Sequence, residues 1–192
     1  MSPKKEDPTQ LAILANAMRA IADEMGAILV RSAFSTIVRE ARDCATAVLD
    51  AHGNVVAQAE MIPIHNGGLS AAFRASAAQL DLSGIGPDHA ILLNDPYAGG
   101  QHLNDFIVFQ PIFVHDELIG WAGNTAHHLD VGGGGAGINI DASELIQEGI
   151  IIPPLLIDAK KDLHGGPIER LIFANVRTPA LGRGDFYAQI AA

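Results

Sequence analysis

The sequence predicts an α/β or α+β domain in which helices flank a mixed sheet and a metal site lies at the ends of strands. Near the N-terminus, apolar residues recur at alternating steps of four and three from Leu14 to Ile28, the period of an amphipathic helix. Further along, short apolar runs such as 106–114 are bounded by turn residues, as strands are. A single chain that carries both patterns is expected to pack helices on a sheet.

The first half of the chain predicts a helix, a hairpin and a second helix. Asp7 and Pro8 are suited to the N-cap and first position of a helix over about 9–33. Apolar runs at 44–50 and 54–60 flank Ala51-His52-Gly53, which predicts two strands joined by a turn. The stretch "HNGGLSAAFRASAAQL" then predicts a loop that enters a second helix.

The second half predicts the strands that carry the site. We expect them to lie close together, near 90–94, 106–114 and 118–125. Pro111 places its strand at a sheet edge or a bulge, because proline cannot donate to a strand ladder. His52 and His115 fall in predicted turns, so we expect both to be exposed and unrelated to the site. Beyond the strands, "DASELIQEG" predicts a helical turn and "IERLIFANVR" an amphipathic stretch.

Composition limits the function classes. The chain has 192 residues, of which 48% are hydrophobic, and 22 acidic against 12 basic residues give a formal charge of −10. This acidic balance argues against a nucleic-acid partner, which requires a basic surface. The single cysteine, Cys44, excludes an internal disulfide and opens a predicted core strand. We find no secretory signal and no uninterrupted apolar run long enough for a membrane span, so we expect a cytoplasmic protein.

The end of the chain resembles an interrupted element. "GDFYAQIAA" begins like a helix, with Asp185 placed at its positive N-terminal end, and the chain stops within about two turns. A helix that stops so early looks cut and not finished.

The stretch "NDPYAGGQHLNDF", residues 94–106, is the strongest candidate for a site. Its proline and its Gly-Gly pair turn the backbone, so His102 and Asp105 can converge. "NTAHHLD" offers a third ligand, and because adjacent strand residues point to opposite faces, only one of His127 and His128 is expected to face His102. Two imidazoles and one carboxylate leave coordination positions open, as in catalytic metal sites. The alternative is a polar turn beside a buried, hydrogen-bonded histidine pair.

Two further groups are weaker candidates. His65 in "IPIHNGG" precedes a predicted helix, where it would meet substrate as an acid, a base or a hydrogen-bond donor, or would simply cap or pack. Glu40, Arg42 and Asp43 are interpreted as a solvated, internally paired connection between a helix and a strand.

The glycine run contains a G-x-G-x-x-G pattern at Gly132, Gly134 and Gly137. It follows the polar "HHLD" and precedes "INIDAS", whereas a dinucleotide fold needs an apolar strand before it and a long helix after it. We expect either a nest of backbone N–H groups that accepts an anion beside the metal, or a flexible connection. No G-x-x-x-x-G-K-[ST] occurs in the sequence, so any ATP chemistry requires a partner.

Several motifs taken together resemble one family. "IPIHNGG", "NDPYAGGQHLND", "AHHLDVGG", "LIQEGIIIPP" and "NVRTPALGRGDFYAQIAA" occur in this order, and they resemble the hydantoinase B/oxoprolinase family over nearly the whole chain. Family members are much longer, and the match is to their N-terminal part. The resemblance therefore implies that residues 1–192 are the N-terminal part of a hydantoinase B-like catalytic domain, as a fragment or as one piece of a split subunit. The resemblance implies a hydantoinase A-like partner subunit with an ATPase fold, which phosphorylates a carbonyl or enol oxygen of the substrate. The B-type component then opens a cyclic amide or, in the related acetone and acetophenone carboxylases, adds carbon dioxide to a ketone.

The resemblance also implies residue roles. The carboxylases hold a divalent metal with His-x-x-Asp and a later His, which match His102, Asp105 and His127. His128 and Asp130 would then lie next to the ligands without binding the metal themselves. We assign catalytic roles to His65 and His128. Zinc, manganese and iron all suit such a ligand set.

This chain departs from the family pattern at two points. Gln101 stands where a small or hydroxyl residue is common, and "EARDC" replaces "ER-D-F", which weakens a role for Glu40. The leading hypothesis is the B-type subunit of an ATP-dependent cyclic amide hydrolase within a hetero-oligomer. A ketone carboxylase subunit and a non-catalytic fragment are the alternatives.

Overall fold

A computed structural model describes residues 7–59 and 61–192 and contains one six-stranded sheet in the order β2-β1-β5-β4-β3-β6. The strands are β1 Cys44–Asp50, β2 Val55–Gln58, β3 His89–Leu93, β4 Asp105–Val114, β5 Glu117–His127 and β6 Leu155–Asp158. Every described strand pair is antiparallel, where the prediction allowed a mixed sheet. The predicted class, helices that flank a sheet, is confirmed.

Helices cover both faces of the sheet. They are α1 Pro8–Ser32, α2 Thr36–Arg39, α3 Pro63–Ala77, α4 Ala159–Asp162, α5 Pro167–Ala174 and α6 Pro179–Ala191, with short 3-10 turns at Pro96–Ala98 and Leu145–Gln147. On one face α3 packs against a core that includes Phe109 and Trp121. On the other face α1, α5 and α6 pack against residues such as Phe106 and Cys44. The central strand β4 is therefore buried on both sides, which explains its continuous apolar run.

Most local signals of the first half hold, with one correction: α3 begins at Pro63, so "HNGG" lies in its first turns and is not a loop, and His65 lies within the helix and does not precede it. Asp7 is the N-cap of α1, and its side chain accepts from the N–H of Thr9 at 2.9 Å, with Pro8 in the first turn. The hairpin forms as predicted, although Glu60, the last residue of its predicted second strand, lies outside the described residues.

The three strands predicted to deliver the site are present and adjacent, as β3, β4 and β5. The strand that carries Pro111, β4, is central and not an edge strand, but Pro111 lies beyond the last residue that β3 pairs with and next to a register shift between Ile112 and Phe113 in the β4–β5 ladder.

Two predictions about the second half need correction. Strand β6 was missed, because the Pro153-Pro154 pair beside it indicated an interruption, whereas the strand pairs with β3 at the edge of the sheet. Asp185 does not lie at the start of its own helix, since α6 begins at Pro179. Its buried carboxylate instead accepts from the backbone N–H groups of Phe34 and Ser35, at 2.7 and 2.9 Å, at the start of α2. Among the described helices, none is both long and apolar enough to span a bilayer.

Candidate metal centre

The candidate ligands meet where β4 begins and β5 ends, on the face of the sheet that α3 covers. Asp105 and His127 lie directly opposite each other in the β4–β5 ladder. β1 begins beside them, because Cys44 pairs with Ala126 and the N–H of His127 donates to the carbonyl of Asp43 at 3.0 Å. Non-local strand pairing thus brings three chain segments to one point.

The Gly-Gly turn places His102 as predicted. Gly99 has a φ of 100°, in the left-handed region, and a Cβ on it would lie 2.6 Å from Cα of Ala72. Only glycine fits this close approach without a shift of the backbone. The turn closes where the N–H of Asp105 donates to the carbonyl of His102 at 3.1 Å, so both side chains point into the same space.

Three ligating atoms form a compact triangle. Oδ1 of Asp105 lies 2.9 Å from Nε2 of His102 and 3.3 Å from Nδ1 of His127, and the two nitrogens are 3.2 Å apart. Ligands that lie about 2.0–2.2 Å from one ion are separated by about 3–3.5 Å in octahedral or tetrahedral geometry. The three residues therefore lie as close together as predicted, with their ligand atoms within 4.8 Å of one another.

The charges and unmet hydrogen bonds of the cluster fit a cation. Asp105 is buried, and in the described part of the chain neither of its carboxylate oxygens has a hydrogen-bond partner. Nε2 of His102 is close to Oδ1, but the geometry is not that of a hydrogen bond. Burial raises the pKa of the Asp105 carboxyl, but the imidazoles of His102 and His127 more than offset this and lower it to about 2. A buried anion with unused lone pairs is what a divalent metal would satisfy.

One side of the cluster is open. The side chain of His102 is 26% exposed, whereas those of Asp105 and His127 are 2% and 5% exposed. The Asp105 carboxylate beside it raises the pKa of the His102 imidazole. A ligand from solvent therefore reaches the cluster past His102.

His65 and Asp43 extend the cluster. Nε2 of His65 donates to Oδ1 of Asp43 at 2.7 Å, and Nδ1 of His65 lies 3.5 Å from Oδ2 of Asp105. Oδ2 of Asp43 is 3.8 Å from Nδ1 of His127. The structure thus brings His65 to the site, and it corrects the interpretation of Asp43 as part of a solvated connection. Its place in the site follows from the register of β1 against β5, and no local pattern indicates this register.

His128 lies on the other side of the sheet from the cluster, and the catalytic role assigned to it stays a prediction. As expected for neighbouring strand residues, it points to the opposite face from His127. There it is buried, its Nε2 lies 2.9 Å from Oε1 of Gln189, and its ring stacks on Phe106 with centroids 4.1 Å apart. Burial lowers the pKa of this imidazole, which favours its neutral form.

Asp130 and the glycine run have a structural explanation. The buried Asp130 carboxylate accepts from the N–H groups of Gly132, Arg177 and Thr178. The Arg177 guanidinium donates to the carbonyls of Gly132 and Gly133, at 3.1 and 2.6 Å. These hydrogen bonds connect the glycine run to the segment between α5 and α6. The N–H groups of Gly132, Gly134 and Gly137 all donate within the protein, so the expected anion nest does not form at these positions.

The remaining predictions about single residues hold. His52 and His115 are exposed in turns away from the cluster. Cys44 is fully buried, and burial, followed by the charge of Asp43, raises the pKa of its thiol to about 12. A neutral buried thiol of this kind is a core residue and not a nucleophile.

Comparison with known sequences gives matches along nearly the whole chain. A family model described as Hydantoinase B/oxoprolinase matches residues 7–192. An uncharacterized protein of Methanocaldococcus jannaschii is 39% identical over 191 residues, which are 97% of this chain and 33% of that protein. The beta subunit of caprolactamase from Pseudomonas jessenii is 33% identical over 187 residues, which cover 97% of this chain and 32% of the subunit.

Solved structures share the fold. The crystal structure of ATP-dependent caprolactamase from Pseudomonas jessenii matches 98% of this chain and 32% of its own, with a TM-score of 0.84 and 31% identity. A nucleotide-free structure of acetone carboxylase matches 97% of this chain and 25% of its own, with a TM-score of 0.86 and 24% identity, which shows the fold alone. This chain spans about a third of the length of the two curated relatives above. Because the family model and these relatives cover almost every residue, the chain belongs to the hydantoinase B/oxoprolinase family.

Proposed function

We propose that this chain is the N-terminal part of a B-type catalytic subunit that opens cyclic amides in an ATP-dependent reaction. The observation that carries the proposal is the convergence of His102, Asp105 and His127 at the sheet end, with an unsatisfied buried carboxylate at its centre. The substrate class is supported by the family and by the relative named as an ATP-dependent caprolactamase, since caprolactam is a cyclic amide.

His102, Asp105 and His127 would hold a divalent metal, for which zinc, manganese and iron are the candidates. When bound, such an ion supplies Lewis acidity toward a substrate oxygen or lowers the pKa of a bound water. With three protein ligands and one open side, the set suits catalysis better than a closed structural site.

His65 and Asp43 lie beside this centre and link it to solvent. The hydrogen bond from Nε2 of His65 to Asp43 fixes the imidazole, so its Nδ1 faces the Asp105 carboxylate. The Asp43 side chain is 25% exposed, whereas that of His65 is 5% exposed. We assign to this pair the transfer of a proton between the buried site and solvent, with His65 as the acid or base.

A partner supplies the ATP chemistry in this proposal. The sequence has no Walker-type motif, and the caprolactamase relative is named as a beta subunit. We infer a hetero-oligomer with a hydantoinase A-like ATPase subunit that phosphorylates the substrate before the B-type subunit acts. The cytoplasmic location expected from the sequence stays a prediction.

The test is reconstitution with a hydantoinase A-like ATPase subunit. The full-length protein is co-purified with it, and ATP consumption and ring opening are followed with 5-oxoproline, hydantoin and caprolactam, and separately with acetone plus bicarbonate. We expect turnover with a cyclic amide, its loss in His102→Ala, and its retention in the exposed control His52→Ala. Turnover only with the ketone would replace the proposal by a carboxylase. Stoichiometric subunit assembly without turnover of any substrate would favour a non-catalytic role.

A further inference from the structure

Three buried polar atoms beside the candidate metal centre have hydrogen bonds that a metal ion does not satisfy. In the part of the chain that the structure describes, five buried side-chain atoms have no hydrogen-bond partner, and they belong to His65, Asp105, Thr125 and Trp121. Asp105 contributes both of its oxygens. A cation at the centre would use Oδ1 of Asp105, the oxygen that faces the imidazoles of His102 and His127. Oδ2 of Asp105, Nδ1 of His65 and Oγ1 of Thr125 remain without partners.

Thr125 lies on the same face of the sheet as the metal centre. It stands two positions before His127 on β5, so both side chains point to the face that α3 covers. Its neighbours across the sheet, Ala45 on β1 and Ile107 on β4, are apolar and cannot satisfy its hydroxyl. Because Ile107 stands two positions after Asp105, Thr125 is a diagonal neighbour of Asp105, at a backbone spacing of about 7–8 Å. At this spacing one small bridging molecule can contact both side chains.

The donors and acceptors of the three atoms match those of water. Nε2 of His65 donates to Asp43 at 2.7 Å, so Nδ1 of the neutral ring carries a lone pair and no proton. This nitrogen faces a second acceptor, Oδ2 of Asp105, at 3.5 Å. Two acceptors cannot bond to each other, and the Thr125 hydroxyl is the one donor among the three groups. A water molecule donates two hydrogen bonds and accepts others, which suits two acceptors and one hydroxyl.

Burial gives this match its weight. The side chains of His65 and Asp105 are 5% and 2% exposed, and Thr125 is buried as well. Polar atoms that lose their hydrogen bonds to solvent on folding, and gain none in the protein, destabilise the folded state. Buried water molecules typically make about three hydrogen bonds to such groups. The number of unsatisfied atoms here is the number that one water molecule needs.

We propose that Thr125, His65 and Asp105 hold one buried water molecule beside the candidate metal centre. The water donates to Nδ1 of His65 and to Oδ2 of Asp105, and it accepts from the Thr125 hydroxyl. Thr125 is thus a positioning residue of the site, and no sequence motif indicated it. Opening a cyclic amide consumes one water molecule, and the assignment of this water to that reaction rests on the proposed function. The binding of the water does not.

The test is a crystal structure of the full-length protein, prepared in EDTA, at a resolution that shows ordered water. Thr125→Val keeps the shape of the side chain and removes its hydroxyl, whereas Thr125→Ser keeps the hydroxyl. We expect one water within about 2.7–3.2 Å of all three atoms in wild type and in Thr125→Ser. We expect it to be lost in Thr125→Val. A wild-type structure in which no water contacts these atoms, or in which the Thr125 hydroxyl donates directly to a protein group, overturns the proposal.

Urea denaturation in EDTA gives a second, independent measurement. Thr46→Val is the matched control, because Thr46 is buried on the opposite face of the sheet and its hydroxyl donates to the carbonyl of Ala22 at 2.8 Å. The water site predicts that the urea midpoint falls in both valine variants, since each loses a hydrogen bond. If the Thr125 hydroxyl has no partner, Thr125→Val should raise the midpoint instead, because valine removes an unsatisfied buried group. A raised midpoint therefore contradicts the proposal.

Turnover tests the further assignment of this water to the reaction. In the reconstituted assembly, Thr125→Val should keep the metal content of wild type and have a lower kcat, and Thr125→Ser should restore kcat. Wild-type kcat in a Thr125→Val protein whose structure lacks the water would refute that assignment. The crystal structures and the urea midpoints require no turnover, so an inactive reconstituted wild type would refute the proposed function and leave the water site to be decided by them.

Discussion

Asp43 shows how a single carboxylate acquires a role from its neighbours. In sequence it stands among Glu40 and Arg42 in a charged connection, and its residue type alone does not distinguish it from them. In the structure its two oxygens face His65 and His127, whereas Glu40 is exposed. Asp43 differs from Glu40 because its carbonyl accepts from the N–H of His127 at 3.0 Å. This hydrogen bond holds Asp43 beside the end of β5.

We therefore expect Asp43→Asn to weaken metal binding while the protein stays folded. The amide keeps the shape of the side chain but removes the negative charge beside His65 and His127. Groups that orient metal ligands typically contribute about 10–100-fold to metal affinity. Isothermal titration with zinc or manganese measures the change, and Glu40→Gln in the same connection is the matched control. If the two variants bind the metal with equal affinity, the Asp43 carboxylate has no role in metal binding.

Cys44 gives a prediction from its pKa. Burial, followed by the charge of Asp43, raises the pKa of the thiol from 9.0 to about 12. The native protein should therefore resist Ellman's reagent at pH 8 and react fully once it is denatured. As the pH rises from 9 towards 12, the unfolded thiol loses its proton first, so stability falls over this window. Cys44→Ala should flatten that fall in urea denaturation. Rapid labelling of the native protein at pH 8 would contradict the buried assignment.

Among the elements, the turns, the alternation and the adjacency of β3, β4 and β5 were predictable, whereas the register of the strands and the pairing of β6 were not. The Gly-Gly pair indicates that His102 and Asp105 converge, and the period of two in a strand requires His127 and His128 to point apart. Which of the two faces the site depends on the register of β5 against β4, which a local pattern does not reveal. Strand β6 was missed because the Pro153-Pro154 pair indicated an interruption, and its pairing with β3 is a contact between distant parts of the chain.

At this scale the Gly99 turn gives a further prediction. Gly99→Ala requires a left-handed alanine and places a Cβ 2.6 Å from Cα of Ala72, so the turn or α3 must shift. We expect a loss of roughly 1–3 kcal/mol in the free energy of unfolding, together with weaker metal binding because His102 follows the turn. Gly84→Ala is the control, since it has open space around it and no positive φ. Urea denaturation of both variants measures the difference, and an unchanged Gly99→Ala protein would show that the turn adapts.

At the scale of the whole molecule, the class of fold follows from periodicity, whereas the assembly depends on contacts between distant parts of the chain. Asp185 near the C-terminus accepts hydrogen bonds from Phe34 and Ser35, and Gln189 donates to the carbonyl of Phe106 at 2.8 Å. These polar contacts attach α6 to the first third of the chain and to the central strand. The sequence shows that residues 185 and 189 are polar, but it does not show that they are buried or which distant groups they bind.

The candidate metal site is a long-range contact, and this property separates the two interpretations of the histidine cluster. His102 and Asp105 meet His127 only in the folded chain, so an ion that binds all three binds the native state and not the unfolded one. Metal at about 100 times its dissociation constant should then raise the free energy of unfolding by about 2.7 kcal/mol, and a chelator should reverse the gain. If the cluster is only a hydrogen-bonded polar turn, metal leaves stability unchanged.

Thermal unfolding of wild type and His102→Ala, each with manganese or zinc and with EDTA, distinguishes these cases. We expect a metal-dependent rise in Tm for wild type only. His102 is the most suitable residue to change, because its partly exposed ring can be removed with little loss of packing, unlike the buried Asp105 and His127. An equal rise in both proteins would place the ion on other groups. A low Tm of His102→Ala in EDTA relative to wild type in EDTA would instead indicate that the ring stabilises the fold directly, without metal.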